Sequence, residues 1–172
     1  QEGVTQVNGM VVDTISGVQD GKAMSDDGRY MLAEVALVGS LDAVVLFDRG
    51  PWEILHGALA GSNGTPMLRG YGQLAGSDPV TIRLSQAKPS TQAHFVIGLS
   101  AVNVWAVGAI LVPFPDVIWY NQPVDVNGNL TISGPFTPGL PSGLEFWLQY
   151  FITDSGGPFG YAASNAVKGT TP

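Results

Sequence analysis

"FVIGLSAVNVWAVGAILVPFP", residues 95–115, contains no ionisable side chain. About twenty consecutive apolar residues suffice to cross a bilayer as a helix, so this stretch poses a choice between a membrane span and the centre of a β core. Gly98, Ser100, Asn103 and Gly108 interrupt it, and Pro113 and Pro115 close it. In a helix interior glycine costs about 1 kcal/mol and proline about 3 kcal/mol relative to alanine, whereas both suit turns between strands. The stretch reads as two strands around a turn, core on both sides, with no membrane span.

The flanking sequence continues the pattern. "LEFWLQYFITD", residues 144–154, alternates as a long strand, with Phe146, Leu148, Tyr150 and Ile152 on one face and Trp147, Gln149 and Phe151 on the other. "DPVTIRLSQA", residues 78–87, places Val80, Ile82 and Leu84 opposite Thr81, Arg83 and Ser85, the alternation of a half-buried antiparallel strand. "PMLRGYGQL", "RYMLAEVAL" and "AVVLFD" read as further strands, and "GYAASNAVKG" as a last one. "VTQVNGMVVDT", residues 4–14, reads as a strand pair or one kinked strand with Gly9 as bulge or turn. In "VDVNGNLTIS" the pair Asn127-Gly128 predicts a type I′ hairpin turn. "WEILHGALA", residues 52–60, has spacing compatible with one helical turn and reads as a connector. The strands number nine to eleven. They predict an antiparallel β-sandwich, immunoglobulin-like or jelly-roll-like, with an extended N-terminal strand segment. The expected organisation is a strand segment over 1–20, a β-hairpin unit over 21–50 and a sandwich module over 51–172.

Composition limits the function classes. The 23 glycines and 12 prolines, about a fifth of 172 residues, are spread without a period and punctuate short strands. Hydrophobic residues at 45% with only 12% charged exclude a disordered chain. Seven Lys and Arg against fourteen Asp and Glu give a net charge of −7 and no basic stripe, which argues against nucleic acid as a partner. The absence of cysteine removes disulfides, thiolate nucleophiles and zinc–thiolate sites. A first residue of Gln rather than Met is what cleavage of a secretory signal would leave, so an extracellular or cell-surface location is expected.

Several motifs stand in order along the chain: "GLS-x-x-N" from Gly98, "LVP-x-PD" from Leu111, "LP-x-GL-x-x-W-x-Q" from Leu140 and "G-x-AASNA" from Gly160. As a group they make residues 50–172 resemble a C-terminal all-β module of secreted planctomycete-type and related bacterial proteins. Residues 21–50 resemble one unit of the "N-x-x-G-x-x-A-F" repeat that often precedes that module. The resemblance implies secretion and an accessory role rather than a reaction. The chain departs from it at Val104, Trp105, Ala106 and Val107, where related modules carry a polar or small turn.

No residue set points to catalysis. Ser100 lacks the second glycine of a nucleophile elbow, and His56 and His94 are the only imidazoles. Glu145 and Asp154 have no evident pairing for glycoside hydrolysis. No cofactor is expected. Asp20, Asp26 and Asp27 offer oxygens for calcium, although Asp-Asp-Gly is also an ordinary turn. Trp119, Tyr120 and Trp147 are candidates for a polysaccharide platform, with core packing as the competing reading. The leading expectation is a non-enzymatic structural subunit of an extracellular filament or surface layer. Its copies would be joined by β-strand addition and apolar contacts through Val4, Val7, Met10, Val12, Val104, Trp105 and Val107. The partner is then a homo-oligomer or polymer, with a carbohydrate-binding accessory module as the alternative.

Overall fold

The computed structural model describes residues 50–172 throughout and, before them, the backbone of four strands. The chain divides into two compact units, Gln1–Gly50 and Pro51–Pro172.

In the first unit β1 (Thr5–Val7), β2 (Met10–Ile15), β3 (Tyr30–Leu37) and β4 (Leu41–Asp48) pair in sequence order as an antiparallel meander. Val7 stands opposite Met10, and Val12 opposite both Thr5 and Leu37. Pairing of β2 with β3 joins residues read separately as 1–20 and 21–50 into one sheet. Within this unit β1 pairs antiparallel with β2.

The second unit is a sandwich. Its strands are β5 (Trp52–Ile54), β6 (Met67–Tyr71), β7 (Pro79–Ser85), β8 (Gln92–Gly98), β9 (Ala101–Ala106), β10 (Ala109–Pro113), β11 (Val117–Pro123), β12 (Leu130–Pro135), β13 (Glu145–Thr153), β14 (Tyr161–Ala163) and β15 (Val167–Thr170). The larger sheet runs β11-β8-β13-β15-β5, with β14 also on β13; the smaller runs β12-β7-β6. Between them lies a core of Leu68, Ile82, Leu84, Phe95, Leu130, Leu148, Tyr150, Ile152 and Val167, among others. The even-numbered face of β13 and the Val80–Ile82–Leu84 face of β7 meet there, as their alternation requires. At about 25 cal/mol per Å² of apolar surface, each fully buried Leu or Ile side chain contributes about 1.5–3 kcal/mol.

One side of the sandwich is closed by Trp52. Its ring packs edge-on against Phe146, with centroids 5.6 Å apart, and its indole N–H donates to the Gly72 carbonyl at 2.9 Å. The ring lies so close over Gly70 that a Cβ there would overlap it.

Three local expectations are corrected. Residues 52–54 form an edge strand, and Leu55, Leu59 and Ala166 extend the pairing through backbone bonds, so no helical turn forms. Gly57, at φ 103, suits this irregular edge and not a helix. At Asn127-Gly128 only Gly128 has positive φ, so the type I′ geometry, which needs it at both positions, is not adopted. Instead the Asp125 carboxylate accepts the amides of Asn127 and Asn129 at 2.8 Å, and the loop carries the chain from β11 in one sheet to β12 in the other. Within 95–115 there are three strands rather than two. Of these β8 and β10 are buried, while β9 is mostly exposed because it is the outer strand of a hairpin laid on the larger sheet.

Candidate functional site

That hairpin is the feature that carries Val104, Trp105 and Val107. β9 and β10 pair antiparallel with Ala106 opposite Ala109, leaving Val107-Gly108 as a two-residue turn. Both have positive φ, 42° and 87°, which is the type I′ pattern. A β-branched residue seldom adopts that conformation, so no propensity rule would place the turn there. A Cβ on Gly108 would stand 3.1 Å from the Phe159 ring and 3.3 Å from Pro158, so the turn rests against this second loop.

The hairpin is fixed to the sheet by chemistry as well as by packing. Ala109 and the partly buried Leu111 meet Val96, Phe151, Ala163, Leu59 and Ile118 in a second, smaller core on the outer face of the larger sheet. Gln149, fully buried on β13, accepts the Val112 amide at 3.0 Å. Its amide nitrogen donates to the carbonyls of Ile110 at 2.9 Å, Ser164 at 3.1 Å and Gly57 at 3.3 Å. One side chain thus ties β10, the edge loop and the β14–β15 junction to the central strand. Beyond these anchors the end of the hairpin is bare: Trp105 is 77% exposed, Val104 and Val107 43% each, and neighbouring Phe159 80%.

The three proposed sugar-binding rings are not assembled. Trp119 and Tyr120 are neighbours on the edge strand β11 and face opposite ways. Trp119 leans on the core ring Phe95, with centroids 5.9 Å apart, and Tyr120 meets His94 on the outer face at 5.5 Å. Trp147 is half-buried on β13 opposite Gly98 and Lys168, at the other end of β8 from His94. Lys168 there holds both Glu53 at 3.0 Å and Glu145 at 3.1 Å. Its hydrogen bond to Glu53, and then that to Glu145, raise its pKa. The ring that does join His94 is Tyr161, at 6.3 Å; nothing in the sequence signals this, since the strands β8, β11 and β14 that bring them together are far apart along the chain.

The motif residues are bonding nodes. Asn165 accepts the Leu68 amide at 2.8 Å and donates to the Leu68 carbonyl at 3.1 Å, doing what a strand would do and stitching the two sheets together. Ser164 accepts the Tyr150 amide at 2.9 Å. Asp116 accepts the Leu99 amide at 2.7 Å, holding the corner before β9. Asp154 is buried, and burial alone pushes its carboxyl up. The amides of Ser62 and Gly156, the Ser62 hydroxyl and Lys88 outweigh that, and its pKa lies below the ordinary carboxylate value. Glu145 is not paired with it and faces Lys168.

Among the described residues no three His, Asp or Glu side chains are grouped to hold a metal ion. The calcium candidates Asp20, Asp26 and Asp27 lie outside the described residues, as does Val4. Val7, Met10 and Val12 are placed by their backbone in β1 and β2. No described helix is long and apolar enough to cross a membrane. An open groove lined by Ser90, Thr91, Gln92, Val124, Asp125 and Thr153 has a single ionisable group, and the Asp125 carboxylate is already committed to its own loop. Comparison with protein-family models, curated proteins and solved structures finds no match.

Proposed function

We propose that the protein is a non-enzymatic structural subunit of an extracellular filament or surface layer, held to neighbouring copies by apolar contacts and added strands. The observation that carries this reading is the β9–β10 hairpin: an exposed Trp105 flanked by Val104 and Val107, borne on a rigid base that Gln149 and a dedicated small core hold in place. An exposed aromatic on a fixed support loses little entropy on docking, which is what contact residues at interfaces have in common. The same hairpin presents β9 as an outer strand without charge, and the order β1-β2-β3-β4 leaves β1 at a sheet edge. Unpaired edges of this kind accept further strands.

The test is size-exclusion chromatography with light scattering, and negative-stain microscopy, over a range of concentrations. Intact protein should form concentration-dependent oligomers. Trp105→Ser combined with Val107→Thr should abolish them without loss of folding, because both side chains are exposed, and removal of residues 1–14 should shorten them. Intact protein that stays monomeric at the highest attainable concentration would sink the reading.

A further inference from the structure

Strand order, not sequence, produces a row of rings on the outer face of the larger sheet. Tyr120 on β11, His94 on β8 and Tyr161 on β14 stand side by side across the strands, at centroid separations of 5.5 and 6.3 Å. Tyr120 is 63% exposed, and His94 and Tyr161 are half-buried. A β-bulge in β11 between Trp119 and Gln122 holds the row in place. Asn121 there adopts φ 56°, and its amide donates to His94 Nδ1 at 3.3 Å. With Nδ1 accepting, the neutral imidazole carries its hydrogen on Nε2. Bulges re-aim side chains in this way next to binding sites.

We propose that this row is a binding site for a single, soluble chain of a neutral polysaccharide. The ligand class follows from the groups present. Aromatic faces carry partial negative charge and attract polarised C–H bonds, which a pyranose ring presents on its flat faces, and the spacing of the rings is close to the length of one sugar unit. The two tyrosine hydroxyls supply the few polar groups that orient a bound sugar. The strands β8, β11 and β14 contain no Asp, Glu, Lys or Arg. With a net charge of −7 on the whole chain, an anionic glycan would find no counter-charge and a repulsive field. Adjacent rings are inclined by 62° and 51°, so they follow a twisted chain and do not form one plane against a crystalline surface. The site shares the outer face of the larger sheet with the assembly hairpin but uses different residues. It uses Tyr120 from the expected set but replaces Trp119 and Trp147 with His94 and Tyr161.

Affinity electrophoresis of the full chain in gels containing hydroxyethylcellulose, galactomannan, dextran or alginate tests it, with sedimentation on microcrystalline cellulose as a further arm. Retardation is expected in at least one neutral gel and not in alginate. Tyr120→Ala and Tyr161→Ala should each weaken it about tenfold or more, Tyr120→Phe by less, and Trp105→Ser not at all. Circular dichroism spectra matching the parent verify that the variants fold. Absence of retardation in all three neutral gels overturns the proposal. So does binding confined to alginate or to crystalline cellulose, or binding that survives both tyrosine variants but is lost with Trp119→Ala or Trp147→Ala.

Discussion

Replacing Gln149 by Leu keeps the volume of a buried side chain and removes only its amide, so it isolates the contribution of one polar node. Four backbone groups lose their partner: the Val112 amide and the carbonyls of Ile110, Ser164 and Gly57. The amide nitrogen has two hydrogens for three carbonyls, and the Gly57 bond is the longest, so the loss amounts to about three full hydrogen bonds. A buried group left unsatisfied costs about 1–3 kcal/mol; allowing partial relaxation, the expected destabilisation is about 3–6 kcal/mol. Domains of this kind are stable by about 5–15 kcal/mol in total, so the change consumes a large part of that. Urea unfolding followed by tryptophan fluorescence reads it out selectively, since all four tryptophans, Trp52, Trp105, Trp119 and Trp147, lie after residue 50. Hydrogen exchange should show the Val112 amide losing protection ahead of the β13 amides. Gln149→Glu sharpens the test: it keeps an acceptor for Val112 but sets an ionised oxygen against three carbonyls. The carboxyl pKa in the folded state is then raised, and the variant should gain stability as pH falls. A loss below about 1 kcal/mol for Gln149→Leu, or a Glu variant indifferent to pH, would refute this account of how the hairpin is anchored.

Two further expectations follow from buried polar groups. The Tyr150 hydroxyl lies in the core without a hydrogen-bond partner, and burial pushes its pKa above the ordinary range. Tyr150→Phe should therefore leave the urea midpoint unchanged or raise stability by about 1 kcal/mol, and a clear loss would show that the hydroxyl is bonded after all. Asp154 has a folded pKa below its ordinary value of 3.8. Its ionised form then stabilises the fold above about pH 5, and that contribution is lost as pH falls through the folded pKa. Asp154→Asn should lower stability at pH 7 and flatten the acid limb of a urea-midpoint profile between about pH 5 and 2; a limb as steep as the parent's would assign acid sensitivity to other carboxylates.

Alternation along β7 and β13 made the all-β sandwich legible in the sequence, because a period of two puts Ile82, Leu84, Leu148, Tyr150 and Ile152 on one face wherever the strands pair. The same rule failed at β9. Val102, Val104 and Ala106 alternate like a core strand, yet no local property tells a strand whether its partner will be another sheet or solvent. The turn at Val107-Gly108 and the turn at Asn127-Gly128 exchanged expectations for a similar reason. Packing against Pro158 and Phe159 accompanies an unfavourable backbone at Val107, while the Asp125 carboxylate gave Asn127 an alternative to the hairpin it favours in isolation.

Pairwise chemistry was beyond reach for the same cause. Composition and periodicity are properties of neighbours in the chain, and they determined the strand content, the core faces and the absence of thiol chemistry. Which groups meet was decided only by the order β11-β8-β13-β15-β5 and by the hairpin laid across it. That order buried Gln149 and Asn165 as stitches and set His94 between two tyrosines. A strand's sequence specifies which of its faces is apolar; the strand beside it, set by long-range pairing, specifies what that face will touch.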